Sequence, residues 1–235
     1  MFEVHIFLVC RCVTLGIASK AVMAAIVSES ITLRTYPFGE SDLVVSFFTR
    51  DKGKLRGVAK RARKPKSPFG AGLERLCCSR MTYYQRENRE LVTLSGCEIV
   101  HSPFSLAGDY AAALVLDFIA EVSEHLLPPA SADERFYRLI LSVTTHLERQ
   151  KEEAVWRSLV YFAFWAVRLS GFLPELRVSE NSIALAREIA TQPVEAVRPG
   201  IWEKGANADL RRFLIREIEL HAEKRLYTAP LVEAL

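Results

Sequence analysis

The hydrophobic pattern changes its period near residue 102, and this change constrains the fold more than any other feature of the chain. Before it, five short stretches are rich in β-branched and aromatic residues and alternate in part: AIVSESITLRTY (25–36), LVVSFFT (43–49), KLRGVAKR (54–61), CCSRMTYYQ (77–85) and ELVTLSGCEI (90–99). Such stretches read as half-buried strands. TRDKGK (49–54) predicts a hairpin turn in which Gly53 takes positive φ, and QRENRE (85–90) a second polar turn. Five strands between residues 23 and 102 suit a small barrel. The OB-fold is one such barrel and binds oligonucleotides on its surface, but strand count alone does not separate it from an SH3-like barrel.

After residue 102 the period is that of helices. Ser102–Pro103 predict an N-cap and a proline near N1, opening a helix that the double proline Pro128–Pro129 stops. SADE (131–134) reads as a capping box opening a helix to about Gln150. The next helix, about 152–170, is apolar almost all round and belongs in the middle of a bundle; Gly171 ends it and Pro174 prevents its resumption. A short helix follows near 181–191, then an amphipathic one over about 206–226 with Leu210, Phe213, Leu214 and Ile218 on one face. The expected fold is therefore α+β: an N-terminal five-stranded OB-type β-barrel at 23–102 and an all-helical domain at 103–235. Residues 1–22 carry Glu3 and an apolar run split by Arg11, a poor signal peptide; they read as a non-native or dispensable extension, with Met23 as the natural start.

Charge divides at the same place. Residues 23–102 hold 14 Lys or Arg against 8 Asp or Glu, whereas 103–235 hold 15 against 19. A net charge of only +3 thus hides a basic front and an acidic back, which points to a polyanionic partner for the front. The excess concentrates in KGKLRGVAKRARKPKSPFG (52–70), with eight cations and no carboxylate. Strand alternation would place Lys54, Arg56 and Lys60 on one face, with Leu55 and the Val58 side inward, and leave Arg61, Arg63, Lys64 and Lys66 in the loop beyond. A surface of this kind tracks phosphates. Phe38, Phe69, Tyr83 and Tyr84 are aromatics that could stack on bases or fill the core.

Signatures of catalysis are missing. The five His are scattered singly; no H-E-x-x-H, G-x-S-x-G or P-loop pattern occurs, and GAGLER (70–75) lacks the last glycine of a dinucleotide loop. The acidic pairs Asp133–Glu134 and Glu152–Glu153 lie at helix starts, where the macrodipole accounts for them. Asp117 and Glu121 read as a polar helix face. The five Cys end at Cys97 and form no C-x-x-C, so neither a disulfide framework nor a structural metal is expected, and the pattern suits a reducing, cytoplasmic setting. The longest charge-free apolar run, SLVYFAFWAV (158–167), is half the length needed to span a bilayer. The expectation is a non-enzyme without cofactors; the alternative is an OB-fold RNA-binding or nucleic-acid-processing protein.

The order of these features resembles the RecO family of recombination mediators. The resemblance rests on a strand ending in Leu-Arg, the Gly39–Asp42 turn (GESD), the Gly53–Lys54 turn, the basic loop closing in Lys66–Gly70 (KSPFG), and LSGFLPEL (169–176). It implies an OB barrel with a helical domain, binding of single- and double-stranded DNA, and strand annealing. It also implies cooperation with RecR to load RecA onto DNA coated by single-strand binding protein, and hence a nucleoid-associated location. It further implies capture of that protein's acidic tail, for which Arg168, Arg212 and Arg216, with Arg211 beside them, are the candidate cations. Many family members carry a four-Cys zinc site after this last motif, whereas RVSENSIAL (177–185) has no Cys. Zinc is not expected here, and the resemblance leaves the fold of 177–205 open.

Overall fold

The computed structural model describes residues 24–86, 89–150, 154–197 and 208–235. The extension at 1–22, Met23, the Glu152–Glu153 pair, the stretch 198–205 and the predicted start of the last long helix lie outside the described residues.

Five strands, β1 (Ile26–Phe38), β2 (Asp42–Thr49), β3 (Gly53–Ala59), β4 (Cys78–Tyr84) and β5 (Leu91–His101), close into a barrel in the order β1-β2-β3-β5-β4. All neighbours are antiparallel except β3 and β5, which run parallel from Arg56↔Leu91 to Ala59↔Leu94. This closure is the OB arrangement and settles the choice that strand count left open. Val45, Phe47, Ala59, Met81, Tyr83, Val92 and Leu94 fill the interior, joined by Phe69 and Leu73 from the β3–β4 connection. The inward positions of β3 are Leu55 and Ala59; Val58 lies on the outer face with Arg56, because period-two alternation cannot bring both Leu55 and Val58 inside.

The barrel also has an apolar outer patch. Ile31, Leu33, Phe48 and Cys78 belong to the same core as the helices, and Phe48 meets the rings of Phe136 and Tyr137 at 6.3 and 5.8 Å. Phe48 and Cys78 both pair with Ile31, so the three share the outer face, and a β-bulge follows between Thr32 and Arg34. Ile31 and Leu33 share the helical side by ordinary alternation, and the one extra residue shifts the parity beyond it, so that Arg34, Tyr36 and Phe38 continue on that outer face.

Six helices follow among the described residues: α1 (Tyr110–Leu126), α2 (Glu134–Gln150), α3 (Val155–Leu169), α4 (Glu180–Thr191), α5 (Ala208–His221) and α6 (Ala229–Ala234). As its all-round apolar sequence predicts, α3 is central. It packs on α1, α2, α4 and α5, with the Phe162 ring 6.2 Å from Phe118 and 6.1 Å from Phe136. Gly171, at φ +81°, terminates it, a conformation that costs glycine little.

Three predicted helix ends are corrected. Ser102 makes no side-chain cap; Pro103–Leu106 forms only a 3-10 turn, and α1 starts beyond Gly108, where Asp109 accepts from the Ala112 amide at 3.1 Å. The cap of α2 is Asp133, which accepts from the Phe136 amide at 3.0 Å, rather than Ser131, whose backbone is pressed against the β2–β3 turn. The last long helix stops at His221 because Glu223 turns to φ +50° and the Glu219 carboxylate takes the Leu226 amide at 2.9 Å, so 222–228 fold back and α6 forms separately.

Within 177–197 a polar clasp and apolar packing hold α4. Asp209 accepts from the Ser179 amide (2.6 Å), the Ser182 hydroxyl (2.5 Å) and the Leu210 amide (2.9 Å), while Leu185, Ala186, Ile189, Val194 and Val197 are buried in the core. No helix among the described residues is long and apolar enough to cross a membrane.

Candidate nucleic-acid interface

OB barrels hold oligonucleotides on the outer face of strands 2 and 3 and on the adjoining loops. Helices close half of that face here. Phe48 is sealed under α2, and the Ser46 hydroxyl donates to the Glu124 carboxylate of α1 at 2.5 Å. The half left open lies toward the β1–β2 turn and runs into the basic loop.

That loop is a chain of tight turns secured to the barrel by its backbone. The Arg61 amide donates to Asp42 Oδ1 at 2.7 Å and the Arg63 amide to the Ser41 carbonyl at 3.0 Å. The GESD turn is thus the bracket that holds the loop, with Gly39 at φ +61° supplying the bend. Successive turns follow through Lys64 N–Arg61 O, Ser67 N–Lys64 O and Gly70 N–Ser67 O. Arg61 and Lys66 sit at φ +55° and +62°. Phe69 then plugs the barrel interior, and its carbonyl accepts from Cys97 Sγ at 3.2 Å. Gly72 passes so close that a Cβ there would lie 2.2 Å from Cys97 Sγ.

With the backbone fixed, Lys60, Arg61, Arg63, Lys64 and Lys66 all project into solvent, and no ion pair among the described residues involves any of them. The structure brings these five together. Lys54 and Arg56 are placed apart from them, at the seam with α1. Lys54 Nζ donates to the Glu124 carbonyl at 2.5 Å, and Arg56 reaches Glu124 Oε1 at 2.9 Å. Burial lowers the Lys54 pKa against the opposing pull of Glu124, whereas the hydrogen bond to Glu124 raises that of Arg56.

The Glu124 side chain is 4% exposed and that of Arg56 56% exposed, so the two partners are not equivalent. Arg56→Ala takes the guanidinium from a buried carboxylate, leaving it the Ser46 hydroxyl and the nearby Lys54 charge, and is expected to cost about 2 kcal/mol; Glu124→Gln keeps the shape, releases a cation that already meets water, and should cost below ~1 kcal/mol. Combining them should recover most of the Arg56→Ala loss in urea denaturation. A double variant as unstable as Arg56→Ala alone would refute the idea that the under-compensated Glu124 charge causes the loss.

Of the aromatics, Phe69 and Tyr83 are core residues, Tyr84 is half-buried, and Phe38 is 54% exposed beside the loop. Two residues escape a reading of the sequence alone. Arg34 and Tyr36 share the outer face with Phe38, and the Arg34 guanidinium lies 5.2 Å from the centre of the Tyr36 ring. The i, i+2 spacing of Arg34, Tyr36 and Phe38 is visible in LRTYPF, but which face they take depends on the bulge.

Burial pushes the Cys77 thiol up to about 11, and Cys78 Sγ lies 3.4 Å from the Tyr137 hydroxyl at the helical seam. Among the described residues no group of three or more His, Cys, Asp or Glu is arranged to hold a metal. Asp117 pairs with Arg75, and Glu121 accepts from the Tyr227 and Thr228 amides and the Thr228 hydroxyl, tying α1 to the start of α6.

On the helical body, Arg212 and Arg216 line a groove of about 1000 Å³ between α5 and α6, with Ile215, Leu226, Ala229 and Pro230 among its apolar walls. Arg168 does not line it, and its guanidinium sits 4.9 Å over the Trp165 ring. Arg211 is buried, 4.5 Å over Trp156, because it lies on the inward side of α5.

A closed OB barrel packed on a helical bundle and carrying an unpaired cationic loop defines the class: an OB-fold protein with a helical body and an exposed basic surface. Residues 23–103 match the family described as "Recombination protein O N terminal". The chain is 37% identical over 242 residues to a protein of Koribacter versatilis named DNA repair protein RecO, covering 88% of this chain and 98% of that one. Proteins of the same name from Syntrophotalea carbinolica (30% over 149 residues; 63% of this chain, 57% of the relative) and Bifidobacterium animalis subsp. lactis (33% over 158 residues; 63% and 64%) are also similar. The chain belongs to the RecO family.

Proposed function

We propose that the protein is a non-catalytic mediator of DNA repair and recombination. It binds single- and double-stranded DNA, anneals complementary strands, and acts with RecR to help load RecA onto DNA coated by single-strand binding protein. The observation that carries this reading is the backbone-anchored loop presenting Lys60, Arg61, Arg63, Lys64 and Lys66 without a carboxylate among them. Phosphate contacts of this type bind DNA with little regard to sequence. Lys54 and Arg56 extend the basic surface along β3, with Glu124 compensating part of their charge. The test is annealing of complementary strands coated with single-strand binding protein. Wild type accelerates it and the triple variant Arg61→Ala/Arg63→Ala/Lys64→Ala does not; equal acceleration by both would set the reading aside.

The acidic tail of single-strand binding protein, which ends in an aromatic residue, is assigned to the α5–α6 groove. An apolar wall takes the aromatic anchor, and Arg212 and Arg216, one turn apart, set the register of the acidic residues, in a groove where they, Lys224 and Arg225 outnumber Glu219, Glu223 and Glu233. Calorimetry with a tail peptide should show at least roughly tenfold weaker binding to Arg212→Glu/Arg216→Glu than to wild type. Unchanged affinity in a folded double variant would move the site elsewhere, with Arg168 beside Trp165 as the next candidate.

A further inference from the structure

We infer that Tyr36 and Phe38 form a stacking platform for the unpaired bases of single-stranded DNA, which separates single-strand binding from duplex binding on this surface. The inference rests on the DNA-binding reading above and assigns a strand preference to particular residues within it.

The platform is built by strand register. Beyond the bulge, Arg34 pairs with Ser46 and Ser46 with Arg56; Tyr36 pairs with Val44 and Val44 with Val58; Phe38 pairs with Asp42. Directly paired residues share a face, so two rings two residues apart on β1 stand beside small Val44 and Val58, Phe38 exposed and Tyr36 partly so. Neither ring is needed by the barrel core, which is filled by Phe47, Phe69 and Tyr83 from other positions. Cations border the rings: Arg34 over Tyr36, Arg56 across the sheet, and Lys60 at the end of β3. The same Asp42 that pairs with Phe38 anchors the Arg61 amide at 2.7 Å, so the rings and the basic loop form one continuous strip.

An apolar protein segment would not need that density of positive charge around two rings, whereas a polyanion with aromatic bases matches both features. The bases must be unpaired. In a duplex their π faces are occupied by neighbouring pairs, and only the phosphates remain for the loop.

The experiment measures affinity for single-stranded and duplex DNA across salt for wild type, Tyr36→Ala/Phe38→Ala, Phe38→Leu and the ring-preserving Tyr36→Phe/Phe38→Tyr. Base–aromatic stacking contributes roughly five- to hundredfold in affinity per base. The double alanine variant should therefore bind single strands at least roughly tenfold more weakly, with duplex affinity altered less than about twofold. Its salt slope should be unchanged because no phosphate contact is lost. Phe38→Leu removes one ring at an exposed position without removing apolar bulk, so it carries the test even where the double variant does not fold. It should lose roughly fivefold or more on single strands only, and the ring-preserving variant should bind as wild type. Wild-type affinity in Phe38→Leu, or equal losses on both DNA forms, overturns the platform alone. Wild type failing to bind either DNA form overturns the DNA-binding reading and the platform with it.

Discussion

Replacing Arg61, Arg63 and Lys64 together with alanine is expected to lower affinity for single-stranded DNA on the order of a hundredfold at 0.1 M salt. Each cation that neutralises a phosphate on a single strand contributes about 0.7 to the slope of log affinity against log salt, so three lost contacts flatten it by about 2 units. Because counterion release vanishes near 1 M salt, wild type and variant should converge there and diverge tenfold for roughly each unit of slope at a tenth of that concentration. The fold should not be disturbed. The loop is held through the Arg61 and Arg63 amides, not their side chains, and all three side chains are exposed. Arg61 occupies φ +55°, so its replacement by alanine costs no more backbone strain than the native residue already bears. Filter binding or fluorescence anisotropy at several salt concentrations reads the slope directly. An unchanged slope would remove these cations from the interface.

Gly53→Ala should be the most destabilising single-methyl addition in the barrel. Gly53 lies at φ +78°, and a Cβ built on it falls 2.2 Å from the Ser131 carbonyl oxygen and 2.5 Å from the Ser131 nitrogen. These are backbone atoms, so no rotamer change relieves the contact. The Ser131 segment is itself fixed, since the Ala130 amide donates to the Lys54 carbonyl at 2.9 Å and Pro129 bridges to Lys54. The methyl would have to part the barrel from the α1–α2 connection. The conformational cost of about 1–2 kcal/mol thus adds to a steric one, for a total of about 3 kcal/mol or more and a fall in Tm on the order of 10 °C. Gly39→Ala is the control: its φ is +61°, but nothing lies within 4 Å of the added Cβ, so only the conformational cost of about 1 kcal/mol applies. Equal losses in calorimetry for the two variants would show that the seam at Gly53 is not tight.

Much of the architecture is legible in the chain because it follows from local patterning. Five alternating stretches became five strands with ends displaced by one or two residues, the apolar 158–167 run became the centre of the bundle, and Gly53 and Gly171 took the positive φ their turns require. The family motifs were legible for the same reason, and the structure gives one of them a physical role, since GESD holds the basic loop by its backbone.

Period and propensity act over a few residues, and they cannot say which face of a strand another part of the chain will cover. Glu124 lies 68 residues beyond Arg56 in the chain, and only its arrival on α1 sets Arg56 and Lys54 apart from the loop cations. Phe48 and Phe69 look alike in sequence, yet one faces the helices and the other fills the barrel, because inside and outside of a closed sheet are assigned by closure and not by hydrophobicity. The parallel β3–β5 contact that closes the barrel joins residues 35 apart, beyond the reach of any periodicity. The single extra residue at Leu33 turns Arg34, Tyr36 and Phe38 outward, beside a loop whose charge was plain from the start. Elements and charge are thus written locally along the chain, whereas packing between distant segments chose which side chains that charge would stand beside.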